Sequence, residues 1–389
     1  MILKKLIVVV AAFLLLAGEF ALAAVLPDER LDALYHSYDG GGVQVTGPSI
    51  LVRKGVTTST SAFYNFYIDN ITSASIDVQL GGSKYTEERT EQTLGVDYLH
   101  GKTKMNMSFT DSSENDYKAT TISVGVSQDF FGDLTTLNMG YSNGSDTVGI
   151  RNGPDQSSIN RNNYRVSLAQ VLSKKSTITL AWETITDEAT SLNVIGTPVT
   201  LNNPYRSYSY LTTNSLGDPI RGFASEKYPR TRTSNALAIR GAYFIEPRSA
   251  IHAEARIFQD SWGVEAFNYQ LNYVKPIGDF LFDIRYRHYE QTKADFYRDL
   301  FDRVDQFDFM ARDKELSSYS DETIGVSVSY EFARNGWGWV DKGSLNLSWD
   351  HIMFNYTDYR DATQPGLPGT EPLYAFDADV IQAFISIWY

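Results

Sequence analysis

The groups open to chemistry in this chain are histidines, carboxylates and basic side chains, because cysteine is absent from its 389 residues. That absence removes disulfide frameworks, thiolate zinc sites and cysteine nucleophiles together. The five histidines, His36, His100, His252, His288 and His351, are scattered, and none stands in an H-E-x-x-H or similarly spaced metal pair. His36-Ser37, and His252 beside Glu254, have the residue types of hydrolase or acid–base chemistry, but any polar-lined interior generates such neighbours. Three glycines after Asp39 lack the lysine and helix of a phosphate loop and read as a tight strand connection. Acidic clusters from Asp111 to Asp116 and at Asp302, Asp305 and Asp308 offer oxygens to calcium, yet solvated loop charge explains them first. The expectation is no catalytic residue, no metal ligand and no cofactor. With 34 basic against 47 acidic side chains, no nucleic-acid surface is expected either.

A second set of charged residues has a spacing of its own. Asp97, Lys104, Arg165, Glu183, Arg240, Glu254, Arg256, Asp283, Arg285, Arg287, Glu331 and Asp350 each alternate with apolar neighbours. Phe280, Phe282, Ile284 and Tyr286 interleave with Asp283, Arg285 and Arg287, and Ile324, Val326, Val328 and Tyr330 with Gly325, Ser327, Ser329 and Glu331. Period two is the signature of a strand with one apolar and one polar face. The comb recurs through almost the whole chain in segments of eight to twelve residues or so, which calls for an all-β fold. The twelve charges then line a common polar face, where they either brace the wall in pairs or set the ion preference of a water path.

A soluble sandwich has the same comb, so the connections must decide. Short links such as His100-Gly101-Lys102, Phe131-Gly132-Asp133 and Ser173-Lys174-Lys175 alternate with long polar ones at 70–88, 142–161, 187–232, 291–320 and 357–374. Asp260 to Gly263 is short where a long loop is due. Short turns at one end and long loops at the other predict a transmembrane antiparallel up-and-down β-barrel. Sixteen strands are expected, or fourteen if the segments flanking Asp39-Gly40-Gly41-Gly42 form a plug or internal loop. Sixteen strands enclose a lumen that wall side chains alone cannot fill.

The first 23 residues read as a cleaved signal peptide, with Lys4 and Lys5, an apolar run from Leu6 to Leu16 and Ala21-Leu22-Ala23. Residues 24–389 then form the barrel. Trp337 and Trp339, between two strands at the turn end, suit an interfacial aromatic belt. The final strand, Val380 to Tyr389, carries Ile381, Ala383, Ile385, Ile387 and Tyr389 on one face. It resembles the C-terminal signature of bacterial outer-membrane proteins, which implies recognition by the barrel assembly machinery through Tyr389.

Asp39-Gly40-Gly41-Gly42-Val43, Gly47-Pro48-Ser49-Ile50-Leu51-Val52-Arg53-Lys54, Tyr67-Ile68-Asp69, Ser73-Ala74-Ser75-Ile76-Asp77 and Tyr85-Thr86-Glu87-Glu88-Arg89 carry a further likeness. With these motifs the chain resembles a family of Gram-negative outer-membrane proteins that has no assigned activity. The resemblance implies an outer-membrane barrel in contact with membrane lipid and lipopolysaccharide, and it transfers no functional residue. The expected function is a porin-like channel or transport pore with a charged lumen. The alternatives are a non-conducting scaffold and, least of all, a barrel enzyme acting on lipids or surface polymers. Oligomeric state stays open.

Overall fold

A computed structural model describes residues 25–81, 85–149, 156–192, 202–245 and 248–389. The expected signal peptide, the Glu246-Pro247 link and parts of the 70–88, 142–161 and 187–232 connections lie outside the described residues. The strands are β1 (Arg30–Gly40), β2 (Val43–Thr57), β3 (Thr60–Ser73), β4 (Tyr85–His100), β5 (Thr103–Ser113), β6 (Tyr117–Phe130), β7 (Thr135–Gly149), β8 (Gln156–Ser173) and β9 (Ser176–Leu192). They continue as β10 (Asn202–Thr213), β11 (Pro219–Lys227), β12 (Thr231–Ile245), β13 (Ser249–Asp260), β14 (Glu265–Ile277), β15 (Phe280–Gln291), β16 (Tyr319–Phe332), β17 (Lys342–Arg360) and β18 (Leu373–Trp388).

Sixteen of these close into one antiparallel barrel, each paired with its sequence neighbours, and β10–β11 stand apart as a two-stranded hairpin. The first two strands are wall, not plug. β1 and β2 are joined by Gly41-Gly42 at φ +58° and +78°, the left-handed conformations of a two-residue hairpin turn that only glycine adopts freely. β18 pairs with β1 from Arg30↔Trp388 to Gly40↔Ala378, so the last strand leaves no open sheet edge. Tyr389 is anchored beyond it by its hydroxyl, which donates to the Arg53 carbonyl at 3.0 Å.

The alternation sorts the wall as expected. Outward residues such as Leu94, Met107, Ile122, Leu180, Ile284 and Leu347 stand exposed, whereas the inward Asp97, Arg53 and Asp69 are buried. One end of the barrel, holding β1's start and β18's finish, has short links apart from the segment 333–341. The other end carries a folded crown. One expected long connection, 142–161, turns out to be mostly strand, since β7 reaches Gly149 and β8 begins at Gln156, and 70–88 is shortened at both ends, since β3 runs on to Ser73 and β4 begins at Tyr85. Polar residues past the apolar band keep the ladder because it still satisfies their backbone groups. Among the described residues, 114–116 is a further short connection at the crown end, beside Gly41-Gly42 and 261–264.

Candidate functional site

The inner wall is held by ion pairs that lie flat along it. Arg165 and Glu183 face each other on β8 and β9 at 2.8 Å, and Glu183 also accepts from Asn163 at 3.0 Å. Arg240 on β12 pairs with Glu254 on β13. Asp283 accepts two hydrogen bonds from the Asn272 amide at 3.1 and 3.2 Å. Arg287 reaches Asp321 at 2.9 Å and lies 5.2 Å over the Tyr289 ring.

Four pairs skip a strand, and in each a residue with a small inward side chain makes room on the strand between. Arg285 on β15 crosses β16 to Asp350 on β17, with a 2.6 Å bond to its second carboxylate oxygen. The residue beneath is Gly325, where a Cβ would stand 2.0 Å from Asp350 Oδ1 and 3.0 Å from Arg285 Nε. His36 on β1 crosses Gly47 of β2 to Asp69 on β3 at 2.7 Å, and Asp69 is also paired with Arg89 on β4 at 2.5 Å. Arg53 crosses β3 to Asp97, donating to Ser61 at 3.3 Å and stacking 4.6 Å over Phe63. Arg256 lies 3.7 Å from Glu183 across β12, where Ala236 and Ala238 stand opposite the two partners. Such pairs need both polar ends satisfied because the wall buries them partly.

Two of the twelve sequence-predicted charges behave differently. Glu331 sits exposed at the turn-end rim, bound to Arg334 at 2.9 Å. Lys104 has no carboxylate within ion-pairing distance among the described residues. It borders a groove of about 530 Å³ on the inner side of β5–β9 and β12, with Asn106, Ser127, Asn138, Arg165 and Arg240.

The crown covers the opposite sector. Ala294, Tyr297, Ala311 and Leu316 of the segment 292–318 pack with Val264, Tyr356 and Tyr359, joined by Ile76 from the six-residue helix α1 (Ile76–Gly81). Phe354 and Phe376, on adjacent strands, stack at 4.6 Å beneath them. A buried charge network locks three connections together. Arg221 of β11 forks onto Glu371 at 2.6 and 2.8 Å, and meets Asp299 at 2.6 Å. Arg312 adds Asp299 at 3.1 Å and donates to the Arg360 carbonyl at 2.7 Å. The Glu226 carboxylate, fully buried in the hairpin, accepts from the Arg312 backbone N–H at 2.6 Å and from the Tyr228 hydroxyl. Burial, and then the nearby Asp313 charge, push its pKa up to about 7.

Of the motifs weighed for catalysis, His252 and Glu254 share one face of β13, whereas His36 and Ser37 do not share a face. The His36 ring is stacked 4.9 Å from Tyr67 on the inner face, and Ser37 has the opposite strand parity. Asp305 is engaged by Lys227 at 2.7 Å. Glu114 and Asp116 gather with Glu87, their oxygens within 4.8 Å of one another. Arg53, Asp69, Arg89 and Asp321 join the predicted lining; they share its strand parity, which is the signal that finds them. Arg221, Asp299, Arg312 and Glu371 have no such signal, lying in segments without periodicity.

A closed sixteen-strand barrel with an outward apolar surface and a charged inner wall is the outer-membrane type of β-barrel. The family model described as "Protein of unknown function (DUF3570)" matches residues 44–341, and the chain belongs to that family. No curated protein matches it in sequence. Among solved structures it is similar to a bacterial polysaccharide outer membrane secretin, at 7% identity and TM-score 0.49, covering 94% of this chain and 99% of that one. A loop-L8 deletion mutant of OmpT, an outer membrane protein of Vibrio cholerae, gives 9% identity and 0.40, covering 93% and 98%. The CymD monoaromatic hydrocarbon channel gives 7% and 0.42, covering 94% and 89%.

Proposed function

We propose that the protein is a pore of the bacterial outer membrane, exported by its signal peptide, with short turns in the periplasm and the crown outside. One observation carries this reading. Every ion pair between barrel strands joins neighbours or strands one apart, so among the described residues none bridges the lumen. Among the described residues, the groove beside Lys104 is lined by strand residues alone. Wall-bracing pairs and a water path are then compatible: the pairs hold the shape, and the unpaired charge biases the ions. The outward apolar belt supports the membrane setting, since soluble proteins rarely expose contiguous apolar surface of this extent.

Lys104→Glu tests the assignment better than changes at Arg285 or Arg287, whose loss orphans a carboxylate. In planar bilayers under a salt gradient, the reversal potential should move toward cation preference in the variant. An unchanged reversal potential would remove Lys104 from the ion path. A non-conducting scaffold is the second reading, favoured by the aromatic packing that fills one sector of the mouth. The engagement of His36 by Asp69, with Ser37 on the other face, supports a non-enzymatic role.

A further inference from the structure

The short β13–β14 connection leaves a notch in the crown. It is lined by Ser261 and Trp262 of that connection, by Pro229 and Thr231 at the entry to β12, and by residues of the segment 295–309. The notch measures about 530 Å³, within the range of roughly 300–1,000 Å³ typical of small-molecule sites. Its aromatic side is assembled deliberately by packing: Phe296 meets Trp262 edge-on at 5.2 Å and Phe309 at 6.4 Å. Phe307 and Phe309 are each more than two-fifths exposed, at 44% and 43%. Around them stand Asp295, Arg298 and Asp308, whose side chains make no hydrogen bond or ion pair among the described residues. The Arg298 guanidinium is nevertheless placed, 4.8 Å over Phe307 and 5.8 Å over Phe301, which leaves its N–H edge free to donate.

We propose that this notch is a saccharide-binding site, taking the pyranose rings of a neutral oligosaccharide at the outer face of the crown. The chemistry selects that class over others. A wholly apolar ligand would strip water from three charged groups and return nothing to them. A phosphate-bearing ligand meets two carboxylates against one guanidinium, and a cation meets Arg298. A pyranose has an apolar C–H face to lie on Phe309 and a rim of hydroxyls that donate to Asp295 and Asp308 and accept from Arg298. The site does not depend on the pore reading, and its occupant need not pass through the barrel.

The test is calorimetric titration of the refolded full chain with maltotriose, cellotriose and chitotriose, in an amine-oxide detergent whose headgroup is not a sugar. At least one trisaccharide should bind with a dissociation constant of about 1 mM or tighter. Phe309→Ala and Asp295→Asn, both at exposed positions, should each weaken that binding by about tenfold or more, while Trp337→Phe at the far end leaves it unchanged. No binding of any of the three up to about 10 mM would overturn the proposal. So would binding that survives both notch variants at full strength.

Discussion

Arg221 is the keystone of the crown, and its removal has a calculable consequence. Its guanidinium makes five bonds: two to Glu371, one to the Asp299 carboxylate, one to the Asp299 carbonyl and one to Ser209, at 2.6 to 2.8 Å. The side chains of Arg221 and Glu371 are 6% and 4% exposed. Truncating one partner of such a buried pair costs roughly 3–5 kcal/mol, because the other charge stays buried alone. Asp299 keeps Arg312 at 3.1 Å and Glu371 keeps the Gly369 N–H at 2.8 Å, which places Arg221→Ala near the lower end. About 3 kcal/mol is roughly a hundredfold in the crown's opening equilibrium. Hydrogen exchange should show amides of β10, β11 and the segment 295–313 exchanging about a hundredfold faster, with the barrel strands unchanged. Adding Glu371→Gln removes the orphaned charge and should restore part of the protection. Wild-type protection of the crown in Arg221→Ala would refute the keystone role.

Three further outcomes are expected. Glu226 has a folded pKa raised to about 7 from 4.5, so its contribution to crown stability is fully present below pH 4.5 and is lost as pH rises through 7. The difference is worth roughly 3 kcal/mol at most; crown exchange at pH 5 should be slower than at pH 8 after correction for intrinsic rates, and Glu226→Gln should flatten the dependence. Gly325→Ala should cost about 1–3 kcal/mol by displacing the Arg285–Asp350 pair, whereas Gly140→Ala, with nothing nearer than 3.9 Å to its Cβ, should not; chemical denaturation of the two compares them directly. Trp337 and Trp339, 76% and 67% exposed at the turn end, should be quenched in vesicles by lipids brominated near the headgroup more than by lipids brominated at the chain ends, and equal quenching would place them elsewhere.

The wall was legible because a period of two is imposed by the strand itself. Each residue from Phe280 to Tyr286 therefore declared its face before any partner was known. Which charges pair was not legible, since Arg285 and Asp350 are 65 residues apart and meet only because Gly325 lies between them. Strand ends above the apolar belt were misjudged for a related reason: at Asn70–Ser73 the apolar comb stops while backbone pairing continues. The crown was least legible of all. Arg221 and Glu371 are separated by 150 residues, and nothing periodic announces a contact between the hairpin strand β11 and an irregular loop. The short connection at Asp260–Gly263 was visible as an exception, and its consequence, the notch, needed the packing of the neighbouring segment 295–309.

The pore reading is tested most directly by the unit conductance of the refolded full chain in a planar bilayer. It predicts stable, uniform current steps for the wild type and larger or more frequent steps for Arg221→Ala, in which the crown is released. Silence from both proteins, with the barrel shown to be folded in the same membranes, would contradict a water path through the lumen.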